Sequence, residues 1–118
     1  MADLGIQKIN PNRALWEKGD FTRIAETMRR SGEDFVATLG IAPGMKVLDV
    51  GCGDGTTALP AARLGADVLG VDIASNLVAA GNERATAAGL KNLRFVEARY
   101  LRKLAPADAP GHYRLAEY

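Results

Sequence analysis

The stretch from Val47 to Gly55, which reads VLDVGCGDG, constrains this chain more than any other. Its apolar start predicts a buried strand, and glycine at every second position, Gly51, Gly53 and Gly55, predicts a tight loop after it. A helix can begin directly after the loop, at Thr56, so we expect unpaired backbone N–H groups there. A strand, a glycine loop and a helix in this order are typical of nucleotide-type binding sites.

Composition narrows the class of protein. The chain has 118 residues, which is room for one domain, and 47% hydrophobic residues, which is enough for a core. Its net charge of +1 argues against binding to nucleic acid or to an anionic membrane, so we expect a small-molecule partner. Neither a signal peptide nor a membrane-spanning stretch is evident. The single cysteine, Cys52, excludes a cysteine-rich zinc site, and we expect no metal and a location in the cytoplasm.

The first 40 residues are predicted to form a helical arm or lid. A short helix is expected from Asn12 to Lys18, and Asp20 can cap a second helix whose apolar residues recur at helical spacing. Because glycine is unfavourable inside a helix, Ser31 and Gly32 are expected to interrupt this second helix before it resumes.

Residues 41–97 are predicted to form three strands that alternate with two helices. The expected strands are Lys46 to Val50, Val68 to Val71 and Leu93 to Glu97, and the expected helices are Thr56 to Leu64 and Asn76 to Ala88, the latter capped by Ser75. This alternation predicts right-handed βαβ units and a parallel sheet, hence an α/β, Rossmann-like fold.

Acidic residues around the glycine loop indicate which ligand it binds. Asp72 follows Gly51 by 21 positions, close to the offset expected for a carboxylate that accepts hydrogen bonds from a ribose diol. Dinucleotides and S-adenosylmethionine both fit that offset. The loop reads G-x-G-x-G rather than the dinucleotide pattern G-x-G-x-x-G, and Asp49 and Asp54 would repel a pyrophosphate. We therefore expect the cationic methyl donor.

With these motifs in place, residues 12–97 resemble the class I S-adenosylmethionine-dependent methyltransferases. The resemblance is strongest to the small-molecule branch that includes the ubiquinone and menaquinone biosynthesis enzymes. VLDVGCGDG looks like the first motif of that family, and VLGVDIA looks like the second. The resemblance implies S-adenosyl-L-methionine as the cofactor and methyl transfer to a small molecule as the function.

The resemblance also implies roles for individual residues. Asp49 would reach the amino group of the methionine moiety through water, while Gly51 and Gly53 would let the backbone pass the methionine and ribose. Asp72 would accept hydrogen bonds from the ribose hydroxyls, and Ile73 would lie against the adenine.

Trp16 and Cys52 are two further candidate cofactor-binding residues, and each also has a purely structural interpretation. Trp16 either packs between helices or covers the cofactor as part of the lid. Cys52 lies inside the cofactor loop, where the family often has a small packing residue. A catalytic pair of Cys52 and His112 is not expected, because nothing in the sequence orients it. No catalytic residue is assigned.

The chain departs from the family after its third strand. The family sheet has the strand order 3-2-1-4-5-7-6, of which the sequence offers strands 3-2-1, and residues 98–118 read as an irregular, divergent tail. Ala98 is followed by Arg99 where the family has an aspartate for adenine. We expect either that the open edge of the first strand pairs with another copy or protein, or that the chain is truncated, for example by a frameshift near codon 98.

Two other functions remain open at this stage. One is a non-catalytic nucleoside-binding or dimerising module. The other is a fragment of an NAD-binding oxidoreductase, which the loop spacing and the flanking aspartates disfavour.

Overall fold

The computed structural model describes residues 12–97. The first eleven residues of the predicted arm and the predicted tail, residues 98–118, lie outside this described part. The elements in chain order are α1 (Asn12–Lys18), α2 (Phe21–Ala37), β1 (Lys46–Val50), α3 (Ala58–Arg63), β2 (Asp67–Asp72), α4 (Ser75–Ala87) and β3 (Leu93–Glu97). None of the helices in this part is long and apolar enough to cross a bilayer.

The three strands form one parallel sheet in the order β1-β2-β3. Val47 lies beside Val68, and Val68 lies beside Leu93, so the central strand is β2. The predicted α/β class, the parallel sheet and the strand order are confirmed. Because the strands are parallel, their carboxyl ends meet at one edge of the sheet, and the glycine loop leaves β1 at that edge.

The aromatic ring of Phe95 lies where three glycines come together. A Cβ atom added at Gly55, Gly70 or Gly81 would approach ring atoms of Phe95 to 2.7, 2.7 and 2.9 Å, respectively. Phe95 itself is 3% exposed. The loop, the central strand and α4 therefore lack side chains where this ring packs, which accounts for a glycine in the middle of α4.

The second helix is continuous, so the predicted interruption at Ser31 and Gly32 is wrong. α2 runs from Phe21 to Ala37 without a break. A Cβ atom at Gly32 would lie 2.4 Å from the carbonyl oxygen of Thr56, in the segment that follows the glycine loop. The glycine allows this close approach, and tertiary packing outweighs its low helix propensity.

Two predicted helix caps also differ in the structure. Asp20 makes no capping bond to the backbone, and its carboxylate accepts the hydroxyl of Thr22 instead. Ser75 lies inside the first turn of α4, where Ala74 holds the N-cap position. The Ser75 hydroxyl donates to Glu17 of α1. Both side chains form other contacts that local sequence patterns do not reveal.

Replacing Gly32 by alanine should destabilise the protein. The added methyl group has no space against the Thr56 backbone, and overpacking of this kind costs about 1–3 kcal/mol. Urea denaturation measures the difference in the free energy of unfolding. Ser31→Ala is the matched control, because Ser31 is exposed in the same helix and its replacement should change stability by less than about 0.5 kcal/mol. Equal stability of both variants would contradict the packing role of Gly32.

Candidate functional site

The glycine loop adopts left-handed backbone conformations at all three glycines. The φ angles are 70° at Gly51, 55° at Gly53 and 99° at Gly55. A Cβ atom at Gly51 or Gly53 would meet nothing within 4 Å, whereas one at Gly55 would collide with Phe95. The first two glycines therefore border open space at the carboxyl edge of the sheet, and the third packs against the core.

The backbone N–H groups of the loop are already bonded within the protein. Gly51 and Cys52 both donate to the carbonyl oxygen of Val71, at 2.8 and 3.0 Å, and Gly55 donates to that of Cys52 at 3.1 Å. Gly53 donates to a side chain of β2. The prediction that unpaired N–H groups face a ligand is wrong for these four residues, because the loop folds back onto the end of β2.

Asp72 holds the glycine loop against the central strand. Its Oδ2 accepts the backbone N–H of Gly53 at 2.8 Å, and its Oδ1 accepts that of Ala74 at 2.9 Å. A carboxylate has about four acceptor positions, so each oxygen retains capacity for a ligand hydroxyl. Ile73, the next residue, is half-buried.

Asp49 lies near Asp72 at the same edge of the sheet. Burial raises the pKa of the Asp49 carboxyl, and the negative charge of Asp72 raises it further. The Thr57 hydroxyl at 2.5 Å and the backbone N–H of Ala58 donate to the carboxylate and oppose this shift. The loop is thus flanked by two carboxylates whose mutual repulsion a cation would relieve.

Asp54 does not face this open space, and its predicted part in repelling a pyrophosphate is wrong. The residue is 1% exposed. Arg84 Nη1 donates to its backbone oxygen at 2.9 Å and to its Oδ1 at 3.3 Å, and Arg29 Nη2 lies 3.7 Å from its Oδ2. The turn of the loop directs Asp54 toward α2 and α4, a direction that its place in the sequence does not specify.

Cys52 is a buried packing residue in this geometry. It is 5% exposed, and a Cβ atom at Gly70 would lie 2.9 Å from its Sγ. Burial raises the pKa of the thiol, and the nearby negative charge of Asp49 adds to the shift. The reactive thiolate is therefore disfavoured. His112 lies outside the described residues.

Sequence reasoning did not identify the polar contacts that attach α1 to the carboxyl edge of the sheet. Glu17 Oε1 accepts the backbone N–H and the hydroxyl of Ser75, at 3.0 and 2.8 Å. Arg13 bonds Glu17 at 3.1 Å and Glu97, at the end of β3, at 3.0 Å. The one signal in the sequence is the i, i+4 spacing of Arg13 and Glu17.

Trp16 packs against Phe21 and remains partly open to solvent. The ring centroids are 5.1 Å apart, with an angle of 51° between the planes, and Trp16 is 46% exposed. This contact with Phe21 agrees with the interpretation that Trp16 packs between helices. A role of Trp16 over a ligand stays a prediction.

The attachment of α1 should weaken in acid. Hydrogen bonds from the backbone and hydroxyl of Ser75, together with Arg13, lower the pKa of Glu17 from 4.5 to about 2. A carboxyl whose pKa is lowered by folding stabilises the folded state, and this stabilisation is fully present above the pKa that the group has in the unfolded chain. The contribution of Glu17 should therefore be complete above pH 4.5 and be lost as the pH falls to about 2.

Fluorescence of Trp16, the single tryptophan, would report this transition during an acid titration. Glu17→Gln should remove the part of the change that falls between pH 4.5 and 2. Glu83→Gln is the control, because Glu83 is exposed on α4. Identical titration curves for the protein and Glu17→Gln would show that Glu17 does not hold α1.

A comparison with known protein families matches residues 47–114 to a methyltransferase domain. This is more than half of the chain. The protein belongs to the methyltransferase domain family. The match continues beyond Glu97 to residue 114, into the tail that the sequence predicts to diverge from the family.

Curated relatives of this methyltransferase domain are longer proteins. An uncharacterized protein of Mycobacterium tuberculosis is 42% identical over 88 residues, which cover 74% of the chain and 32% of the relative. The 23S rRNA (uracil(1939)-C(5))-methyltransferase RlmD of Alkalilimnicola ehrlichii is 43% identical over 99 residues, covering 83% of the chain and 22% of the relative. The chain thus spans about a third or less of the length of these relatives.

Solved protein structures, one of them a methyltransferase, share the fold of this chain. Magnesium protoporphyrin IX methyltransferase from Synechocystis, solved with bound SAH, matches with a TM-score of 0.53 and 32% identity, covering 63% of the chain and 35% of that protein. The same enzyme with bound SAM matches with a TM-score of 0.51 and 29% identity, covering 64% of the chain and 38% of that protein. The YcgJ protein of Bacillus subtilis matches with a TM-score of 0.52 and 29% identity, covering 58% of the chain and 29% of that protein. These matches confirm the Rossmann-like fold.

Proposed function

We propose that this chain is the cofactor-binding part of an S-adenosyl-L-methionine-dependent methyltransferase that acts on a small molecule. Membership in the methyltransferase domain family supports this function, as do solved relatives that hold SAM or SAH. The observation that carries the proposal is the open space beside Gly51 and Gly53, at the end of the sheet where Asp49 and Asp72 also lie.

The residues at this edge fit the parts of the cofactor. Both oxygens of Asp72 retain acceptor positions that would take the ribose hydroxyls. Asp49 would meet the ammonium group through water, and half-buried Ile73 would lie against the adenine. A side chain at Gly51 or Gly53 would project into the space where the methionine and ribose would lie. Cys52 would contribute its backbone and its small volume.

Electrostatics favours the methyl donor over a nicotinamide dinucleotide. Asp49 and Asp72 repel each other, and the cationic sulfonium and ammonium groups would reduce that repulsion. A pyrophosphate would add negative charge beside both. It would also find the N–H groups of Gly51, Cys52 and Gly53 already donated. Asp54 is buried and adds nothing to this repulsion.

When bound, S-adenosylmethionine supplies an electrophilic methyl group to a substrate nucleophile. The chain contributes by fixing the geometry of the glycine loop and by placing negative charge at the sheet edge, which are positioning and electrostatic effects. No catalytic residue is assigned among residues 12–97. Within that range no three His, Cys, Asp or Glu side chains are grouped to hold a metal ion.

We favour a small-molecule substrate over RNA. One relative is by name a 23S rRNA methyltransferase, but the net charge of this chain is only +1. Proteins that bind RNA gather a basic excess on one face. The same proposal places the protein in the cytoplasm, which the single buried thiol of Cys52 supports.

Calorimetric titration with S-adenosylmethionine, S-adenosylhomocysteine and NAD tests the proposal. We expect saturable binding of the first two and none of NAD. Asp72→Asn should weaken binding at least about tenfold, because a hydrogen bond to a charged group contributes about 1.5–3 kcal/mol. Asp67→Asn is the matched control, since Asp67 is exposed at the opposite end of the same strand. Binding of NAD alone, or equal binding by both variants, would overturn the assignment.

We also propose that a second copy of the chain pairs with β1. Within residues 12–97 this strand has a neighbour on one side only, and an unpaired edge invites another strand. Leu48 and Val50 are 42% and 39% exposed. A groove of about 200 Å³ lies beside this edge, and its apolar lining residues include Phe35 of α2 and Leu39, which follows that helix. Antiparallel pairing about a two-fold axis would bring Leu48 opposite its own copy.

Light scattering coupled to size exclusion would test this pairing, and we expect a dimer. Leu48→Lys should yield monomers, because it places like charges opposite each other across the two-fold axis. Leu15→Lys is the control, since Leu15 is 61% exposed on a different element, α1. A monomeric protein, or a dimer that survives Leu48→Lys, would overturn the pairing.

A further inference from the structure

A second cavity lies between three helices, and no residue proposed to bind the cofactor lines it. Its volume is about 420 Å³. Each of the helices α2, α3 and α4 contributes one arginine to it: Arg29, Arg63 and Arg84. The rest of the lining consists of Glu33, Leu59, Ala87 and Ala88.

The arginines carry more positive charge than the buried carboxylate beside them can balance. Asp54 is shared between Arg84, at 3.3 Å, and Arg29, at 3.7 Å. With Glu33, which also lines the cavity, three guanidinium charges face two carboxylates, and one positive charge remains. The pKa of Arg84 is lowered, first by burial and also by the positive charges of Arg29 and Arg63.

The exposed glutamates of α2 form only long ion pairs with the arginines. Glu33 lies 3.8 Å from Arg63, with both side chains more than half exposed, and Glu26 lies 4.0 Å from Arg29. Exposed ion pairs at such distances contribute little, because solvent screens them. An incoming anion can therefore displace them, and the glutamates remain hydrated.

One buried donor at this cavity has no acceptor. Arg29 Nε is shielded from solvent and is the one buried side-chain nitrogen or oxygen in residues 12–97 without a hydrogen-bond partner. Native proteins rarely leave such a group unpaired. An oxyanion in the cavity would supply the missing acceptor if the Arg29 side chain turned its Nε toward it.

We propose that this cavity binds the phosphate group of a small phosphorylated molecule. The remaining positive charge favours an anion, and planar guanidinium groups suit phosphate oxygens. The volume exceeds what a phosphate alone requires, and Leu59, Ala87 and Ala88 offer apolar contact to the remainder of the ligand. A single concave site with three arginines, in a chain of net charge +1, fits one phosphate better than an RNA backbone.

The test is calorimetric titration of the full chain at constant ionic strength with inorganic phosphate, phenyl phosphate and chloride. We expect saturable binding of both phosphates, tighter for phenyl phosphate, and no saturable binding of chloride. Arg63→Ala should weaken phosphate binding about tenfold, since it removes a charge-assisted hydrogen bond. The melting temperature should change little, because Arg63 is 53% exposed and contacts only Glu33 loosely.

Two controls distinguish phosphate binding at this cavity from nonspecific attraction to positive charge and from binding at the cofactor site. Arg30→Ala removes the same charge from an exposed position of α2 and should leave phosphate affinity unchanged. Arg63→Ala should leave the affinity for S-adenosylhomocysteine unchanged. Equal losses in Arg30→Ala and Arg63→Ala, no preference for phosphate over chloride, or tighter binding of a single-stranded RNA than of phenyl phosphate would overturn the proposal.

Discussion

The hydrogen bond from Gly53 to Asp72 fixes the shape of the functional edge. It joins the loop after β1 to the end of β2 at 2.8 Å, beside the two bonds that Val71 accepts from Gly51 and Cys52. The loop can follow this path because the glycines tolerate left-handed conformations and keep the space above them free. This closure holds the loop onto the end of the central strand, next to the carboxylate of Asp72.

The loop is held from two sides by two different aspartates. On the open side, Asp72 binds the backbone of Gly53. On the helical side, Arg84 binds the backbone and carboxylate of Asp54, which is almost completely buried. Two acidic residues that look equivalent in the sequence therefore have opposite directions and different tasks. Asp72 faces the proposed cofactor, and Asp54 anchors the loop to Arg84 of α4 and lies near Arg29 of α2.

Much of the fold follows from periodicity and from the order of the elements. The three strands and their parallel order were predictable because apolar runs alternate with helical patterns and glycine turns. The helix limits were less predictable. Gly32 does not break α2, because its missing side chain makes room for Thr56, a residue distant in the sequence. Ser75 does not cap α4, because Glu17 of α1 accepts its hydroxyl.

The sequence by itself determined the glycine loop, the carboxylate one strand later and the α/β class, since these depend on local spacing and backbone preference. Only the tertiary structure decided where each polar group points. It paired the loop N–H groups, turned Asp54 toward the helices and brought Arg29, Arg63 and Arg84 to one cavity. Such directions arise from packing between distant segments, and one residue's position along a chain does not encode them.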